Sequence, residues 1–229
     1  EYEAQLGSSS TFSPLLDSSG WGPSASFTFS GLSDATTHFF RVRARDAFGN
    51  TGSFSTVRST TMDASPPSVP LLFGEPAFTQ GTSNTVTWAL SSDAGVGGIQ
   101  YQLEYSLVPT FVPALTVTTA WGVTSPYTAS GLLDGLTYNF RVRARDSFLY
   151  TSQWSSAQAS TQDASAPSVP ITAGLPPVVD GSMTPYGWSP STDAGVGGIQ
   201  YQVEVATDPF FASVVQRSAW INGTSIALG

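Results

Sequence analysis

Cysteine and lysine are absent from this chain of 229 residues, and histidine occurs once, as His38. The absence of cysteine excludes disulfides, thiolate catalysis and cysteine-ligated zinc. The Gly-x-Ser-x-Gly elbow of serine hydrolases is also missing. The carboxylates are scattered in turns, where they cap the backbone, and none is paired inside an apolar strand as a general acid requires. We therefore expect no catalytic residue and no cofactor.

Charged residues are scarce. They make up 10% of the chain, against about a quarter in an average soluble domain. Eight arginines stand against sixteen acidic residues, which gives a net charge of −8 and an isoelectric point near 4.3. This balance argues against nucleic acid and anionic membranes as partners. Because no apolar run approaches the ~18 residues of a membrane span, we also expect no membrane insertion.

Three sequence blocks recur at a spacing of 100 residues. They are Arg-Val-Arg-Ala-Arg-Asp at 41–46 and 141–146, a proline-bearing segment at 63–70 and 163–170, and an identical decapeptide at 93–102 and 193–202. Repeated blocks at one offset predict a tandem array with a repeat of one domain. We predict a partial first repeat at 1–62 without its first strands, a complete middle repeat at 63–162, and a partial third repeat at 163–229 without its last strands. The proline-bearing segments favour semi-rigid spacers, so the domains should stand end to end.

Apolar and polar residues alternate along the repeat. In residues 137–146, Tyr138, Phe140 and Val142 point to one side, and Arg141 and Arg143 point to the other. A period of two residues predicts strands with one buried and one solvated face. Several short strands joined by glycine- and aspartate-rich turns predict an all-β sandwich.

Three segments together resemble the fibronectin type III family of immunoglobulin-like sandwiches, in the tandem form of bacterial or archaeal exported repeat proteins. Residues 67–70 look like the proline-rich start of its first strand, and residues 85–88 look like its second strand with a core tryptophan. Residues 131–138 are similar to its turn into strand F, where Leu132 and Tyr138 would build a tyrosine corner. His38 replaces this tyrosine in the first repeat, so that corner should be weaker.

The predicted core combines the alternating strand residues with those that the resemblance implies. Its members are Trp88, Trp188, Tyr101, Leu132, Tyr138 and Val142.

The arginine triplets have two interpretations. Arg141, Arg143 and Arg145 could form a ladder of guanidinium groups for carboxylates or sulfated glycans. Alternatively they pair across the sheet with the neighbouring strand, whose outer face carries Glu104. We favour the structural interpretation.

Aromatic residues supply the candidate binding site. Phe148, Tyr150 and Trp154 lie in the loop between the last two strands, a place that often carries recognition in sandwiches. They are the candidate residues for contact with a ligand or a neighbouring chain, and a purely structural role is the alternative. A second set, Trp21, Trp121 and Trp220, recurs at matching places and should cap the edge of the sandwich.

The turn at 93–98 is a candidate metal loop. One aspartate among several glycines supplies too few oxygens for calcium, which takes about six to eight. A bridging site formed by Asp63 or Asp163 with Asp93 or Asp193 is the alternative, but no dense acidic cluster is visible in the sequence. We therefore expect no metal.

These features predict a non-catalytic structural or adhesive module of an extracellular surface or filament protein, acting as a spacer or assembly unit. Its partners would be other copies or neighbouring repeats. The alternative is an accessory spacer or weak glycan-binding module of a polysaccharide-active enzyme, with polysaccharide as the partner. Subunits that complete each other by strand donation are a third possibility, which we rank below a window cut from a longer array.

Overall fold

The computed structural model describes residues 1–95, 97–175, 184–195 and 197–228. Short strands follow one another through these residues, and a 3-10 helix covers Pro113–Leu115. The strands are β1 (Tyr2–Gly7), β2 (Leu15–Ser18), β3 (Thr37–Ala44), β4 (Arg58–Thr61), β5 (Leu71–Leu72), β6 (Phe78–Gln80), β7 (Ser83–Val86), β8 (Trp88–Ala89), β9 (Gln100–Ser106), β10 (Thr116–Thr118), β11 (Tyr127–Ser130), β12 (Thr137–Arg145), β13 (Gln158–Asp163), β14 (Thr184–Gly187), β15 (Glu204–Ala206), β16 (Val214–Arg217) and β17 (Ser225–Leu228).

The middle repeat is a two-layer sandwich. One layer is a five-stranded sheet in the order β10-β9-β12-β13-β6, in which β6 pairs parallel to β13. The other layer contains the pairs β11-β7 and β5-β8. Buried residues from both layers form one hydrophobic cluster, so the core lies between them. The predicted all-β, immunoglobulin-like sandwich class is confirmed.

The flanking repeats reproduce parts of this arrangement. In the first repeat, β2-β1-β3-β4 corresponds to the sheet formed by β10, β9, β12 and β13. In the third repeat, β14 pairs with β17 and β15 pairs with β16. Among the described residues, no helix has the length and apolar character needed to cross a membrane.

Alternation along β12 places its side chains as the sequence predicts. Phe140, Val142 and Ala144 are fully buried, whereas Arg141 and Arg143 alternate with them on the outer face. The outer face can remain in contact with water at little cost in free energy, because the apolar stems of the arginines cover their apolar neighbours.

Tryptophan and tyrosine pack together in the cores of two repeats. Trp88 and Tyr101 have ring centroids 5.7 Å apart, and their equivalents Trp188 and Tyr201 are 5.4 Å apart. Each tyrosine hydroxyl also accepts a hydrogen bond from the backbone, Tyr101 from the amide of Ser91 at 2.7 Å. The pair therefore combines apolar burial with a satisfied polar tip.

The tyrosine corner is present in the middle repeat. The amide of Leu133 donates to the hydroxyl of Tyr138 over 3.1 Å, and Leu132 lies buried beside it. His38 is buried at the matching position of the first repeat, but its Nδ1 lies 3.1 Å from the carbonyl of Thr36. The histidine thus forms its hydrogen bond with a residue two positions earlier in the chain, whereas the tyrosine reaches a residue five positions earlier.

Candidate functional site

The outer face of the five-stranded sheet carries a paired row of side chains. The register of β12 with β9 sets Arg141 opposite Glu104 and Arg143 opposite Gln102. Arg141 donates through Nε and Nη2 to Oε2 of Glu104, at 2.8 and 2.6 Å. Arg143 binds Oε1 of Gln102 in the same two-pronged way, at 3.0 and 2.7 Å. These are the cross-strand pairs that the structural interpretation predicts.

Aromatic rings fill the spaces between these guanidinium groups. Arg141 lies 3.9 Å from the ring centroid of Phe111 and 4.5 Å from that of Trp154. Trp154 also lies 4.4 Å from Arg143. Trp121 then continues the stack over Arg143 and Arg145, at 5.2 and 4.3 Å. We call this set the arginine–aromatic ladder; its members are Arg141, Arg143, Arg145, Phe111, Trp121 and Trp154.

The first repeat builds the same ladder from its own residues. Arg41 lies 4.0 Å from Phe12 and 3.8 Å from Phe54. Trp21 covers Arg43 and Arg45 at 5.2 and 4.5 Å. The tryptophans that we predicted at the sandwich edge therefore lie on the sheet face in two repeats. Their counterpart in the third repeat, Trp220, is 61% exposed.

The ladder uses both the edges and the faces of its guanidinium groups. The edges donate to glutamate and glutamine, and the faces contact aromatic rings. Burial lowers the pKa of Arg143, and repulsion from Arg141 adds to this, while Glu104 acts in the opposite direction. Because arginine starts from a very high pKa, the group remains a cation. An anionic ligand would have to displace existing partners.

The predicted binding set is divided by the structure. Trp154 belongs to the ladder, between Arg141 and Arg143. Phe148 and Tyr150 lie in the loop after β12, where they are 61% and 42% exposed. Leu149 between them is exposed as well, with a left-handed φ of 72°. We call Phe148, Leu149 and Tyr150 the apolar loop tip.

Asp146 orders the base of this loop. Its Oδ1 accepts hydrogen bonds from the amides of Phe148 and Tyr150, at 2.8 and 3.0 Å. Asp46 does the same in the first repeat for Phe48 and Asn50, both at 2.9 Å. The repeated Asp after the arginine block is therefore a turn-ordering residue in both copies.

Three carboxylates meet beside this turn. Asp63, Asp93 and Asp146 each place one oxygen within 4.8 Å of the others. They come from the segment after β4, the turn after β8 and the end of β12. The sequence offered the pair of Asp63 and Asp93 as the alternative bridging site, which we did not favour. It gave no signal that Asp146 would join them.

A second aspartate contact joins neighbouring repeats, and the sequence reasoning missed it. Oδ1 of Asp134 accepts the amide of Ala164 at 2.7 Å, and its Oδ2 accepts the hydroxyl of Ser165 at 2.5 Å. These hydrogen bonds lower the pKa of Asp134, that from Ser165 most. The available signal was that Asp34 and Asp134, like the Ala-Ser pairs that they bind, recur at the repeat spacing.

The first junction shows the same contact. Asp34 accepts the amide of Ala64 at 2.8 Å and the hydroxyl of Ser65 at 2.5 Å. We call this arrangement the junction clamp. It consists of Asp34 with Ala64 and Ser65 at the first junction, and of Asp134 with Ala164 and Ser165 at the second.

Comparison with known proteins finds segments of larger bacterial proteins. Exoglucanase B of Cellulomonas fimi is 31% identical over 194 residues, which is 79% of this chain and 17% of that protein. Chitinase A1 of Niallia circulans is 32% identical over 126 residues, or 52% of this chain and 16% of that protein. This chain thus spans less than a fifth of the length of either relative. No protein-family model matches the sequence.

Among solved structures, the chicken CNTN1 FN1–FN3 domains are 20% identical, with a TM-score of 0.36 over 85% of this chain and 65% of that one. The geometry of this chain shows its fold directly. Its strand order, buried tryptophan and tyrosine corner are those of the sandwich that the sequence resembles. The chain therefore has the fibronectin type III-like sandwich fold that its sequence resembles, repeated at a spacing of 100 residues.

Proposed function

We propose that this chain is a non-catalytic spacer of an extracellular protein. In this proposal, hydrogen bonds at the junctions hold successive sandwiches in a fixed relative orientation. The junction clamp carries the proposal, because the same two hydrogen bonds occur at both junctions. A linker between freely moving domains needs no such bonds. Repeats that each contact only their neighbours form an extended array.

Close contact at the second junction supports this role. Gly135 approaches the carbonyl of Ala194 so closely that a Cβ at position 135 would overlap that oxygen. The turn at Asp134 and Gly135 therefore lies against Ala194, which stands between β14 and β15 of the third repeat. A backbone contact of this kind limits bending about the junction.

Small-angle scattering on the chain at several concentrations tests the proposal. A spacer gives an elongated particle with a single maximum dimension that does not grow with concentration. A compact particle would contradict the end-to-end arrangement. Growth with concentration would instead support the assembly form of the proposal, in which copies of the chain pack into a surface layer or filament.

A second candidate function is an accessory role in a polysaccharide-active enzyme. Two observations favour it: the matched relatives carry the names of an exoglucanase and a chitinase, and the apolar loop tip exposes aromatic rings. Exposed aromatic side chains suit stacking on the apolar faces of sugar rings.

Co-sedimentation with insoluble cellulose and chitin tests this candidate. We expect weak binding that falls when Phe148 and Tyr150 are both changed to alanine. Phe48→Ala is the matched control, because Phe48 occupies the equivalent loop of the first repeat and is 93% exposed. Equal binding by the double variant would remove the loop tip as a glycan site.

A further inference from the structure

We infer that Asp63, Asp93 and Asp146 form a calcium site in the middle repeat. The inference is independent of the proposed spacer function. It reverses our expectation from the sequence, where the turn at 93–98 offered too few ligands. The fold supplies the missing ones, because Asp63 and Asp146 join Asp93 within 4.8 Å.

The carboxylates point into a space closed to solvent and lack partners there. Asp146 is 1% exposed, and its Oδ2 accepts no hydrogen bond from any described residue. Both oxygens of Asp63 and Oδ2 of Asp93 are also enclosed, although the two residues are half-buried, and no described residue donates a hydrogen bond of normal geometry to them. The backbone of Ser65 lowers the pKa of Asp63, but burial and the neighbouring charges outweigh it. Enclosed carboxylates normally have hydrogen bonds, a cation or a metal. Four such oxygens in one place form a negatively charged site that a cation would neutralise.

The arginines that precede Asp146 on β12 are engaged elsewhere. Arg143 and Arg145 follow the outer face of β12, where they donate to Gln102 and Gln100. Burial raises the pKa of Asp63, and the charges of Asp93 and Asp146 add to this. A divalent ion among the three carboxylates would cancel this repulsion.

The first repeat offers a natural contrast. Asp46 orders its turn as Asp146 does, but its Oδ2 accepts the side-chain amide of Asn50 at 2.8 Å. Tyrosine stands at the matching position 150 and leaves Oδ2 of Asp146 without that bond. In the first repeat, both carboxylate oxygens of Asp46 thus accept hydrogen bonds within the turn. In the middle repeat, Oδ2 of Asp146 has no such bond and faces the aspartate cluster.

Glycine lets the turn close over the cluster. A Cβ at Gly95 would overlap the carboxylate of Asp63. The amide of Gly95 also donates to Oδ1 of Asp93 at 3.2 Å, which leaves the other oxygen of Asp93 directed elsewhere. The repeated glycine therefore serves close packing against an acidic side chain.

Calcium fits this donor set better than other common ions. The ligands are hard carboxylate oxygens, with neither histidine nor cysteine among them, which excludes the usual zinc and copper sites. Calcium accepts irregular geometry and both one- and two-oxygen carboxylate binding, with backbone oxygens and water completing its shell. Magnesium demands a near-ideal octahedron, for which three residues from separate loops are less suited.

Calorimetric titration of the chelator-treated chain with calcium chloride tests the inference, together with thermal unfolding. We expect binding of one ion per chain and a melting temperature raised by about 5–10 °C at ten times the dissociation constant. Asp146→Asn should abolish both effects while keeping the Oδ1 hydrogen bonds that order the loop. Asp46→Asn is the matched control and should bind calcium as the unchanged chain does.

Two further measurements make the outcome decisive. Asp63→Asn should also abolish calcium binding, and in calcium-free buffer it should melt no lower than the unchanged chain, because it removes an enclosed charge. An equal response to magnesium, no heat at ~10 mM calcium, or full binding by Asp146→Asn and Asp63→Asn would overturn the site.

Discussion

Tyr138 and His38 hold the same position in successive repeats but bind different groups. The hydroxyl of Tyr138 reaches the amide of Leu133, whereas Nδ1 of His38 stays with the carbonyl of Thr36. Both side chains are buried, at 8% and 3% exposure, so both positions need a polar partner. The resemblance predicted the corner at Tyr138 and its weakening at His38, but the alternative bond of the histidine depends on a local distance that residue type does not fix.

Replacement of Tyr138 by phenylalanine should destabilise the middle repeat by about 1 kcal/mol. The variant removes one hydrogen bond and leaves the ring in place. Urea denaturation followed by tryptophan fluorescence measures the loss. Tyr150→Phe is the control, since that tyrosine is 42% exposed in the loop tip. Equal stability of Tyr138→Phe and the unchanged chain would show that the corner contributes nothing.

Ala35 and Gly135 occupy equivalent left-handed turns, with φ of 56° and 71°. Each donates its amide to a backbone carbonyl at the last strand of its repeat: Ala35 to Met62, just after β4, at 3.0 Å, and Gly135 to Gln162 in β13 at 2.9 Å. Alanine is strained in this region and glycine is not. Ala35→Gly should therefore stabilise the first repeat by roughly 0.5–1 kcal/mol, measured as a shift of its urea midpoint.

The reverse change, Gly135→Ala, is the matched comparison. It adds the same strain and also forces a Cβ against the carbonyl of Ala194. We expect it to cost more than Ala35→Gly gains. If both changes had the same sign, the left-handed strain would not be the cause.

At the scale of the element, strand β12 shows what alternation can and cannot predict. The period of two residues assigned Tyr138, Phe140 and Val142 to the core, and the family order placed Glu104 on the neighbouring strand. Both assignments agree with the register, in which Arg141 faces Glu104. The ring partners were not predictable in this way, because Phe111 and Trp154 reach the sheet face from loops without a fixed period.

Removal of Trp154 should weaken the ladder at its centre. The ring contacts Arg141 and Arg143, and two exposed cation–π contacts contribute about 1–2 kcal/mol together. Trp154→Ala should lower the stability of the middle repeat by at least that amount in chemical denaturation, since apolar contact is lost as well.

Trp154→Phe is the informative control for this change. Phenylalanine fills the same place in the first repeat, where Phe54 contacts Arg41 and Arg43 at 3.8 and 4.6 Å. The phenylalanine variant should retain most of the stability. Phe148→Ala, in the exposed loop tip, should change stability by less than about 0.5 kcal/mol. A large effect of Phe148→Ala would mean that the loop tip, and not the ladder, supports the fold.

At the scale of the whole molecule, contacts between distant segments escape sequence reasoning. The repeat spacing predicted three successive domains and a semi-rigid connection. It did not predict that Asp134 binds Ala164 and Ser165, or that Asp146 joins Asp63 and Asp93, a pair that the sequence offered only as a disfavoured alternative. Each of these contacts joins turns that come together only when the strands of a sandwich have packed against one another. Composition and period describe a segment, and they carry no information on which turns become neighbours.

Protonation of Asp134 should release the second junction. Hydrogen bonds from Ser165 and from the amide of Ala164 hold the pKa of Asp134 below its usual value of about 3.9. A lowered pKa means that the folded junction favours the ionised carboxylate. The contribution of the Asp134 carboxylate to the stability of the junction is therefore complete above its usual pKa. That contribution is lost as the pH falls through the lowered pKa of the folded chain. Asp134→Asn should mimic this loss at pH 7.

The absence of cysteine allows a direct measurement of that release. Single cysteines at Val117 on β10 and Val215 on β16, which are 50% and 63% exposed, can carry one spin label in each repeat. The unchanged chain at pH 7 should give a narrow distribution of label distances, and Asp134→Asn a broad one. Asp208→Asn is the control, because Asp208 also has a lowered pKa but accepts backbone amides within its own turn. A narrow distribution for Asp134→Asn would mean that the junction clamp does not fix the relative orientation of the repeats. The spacer proposal would then rest on the contact of Gly135 with Ala194 alone.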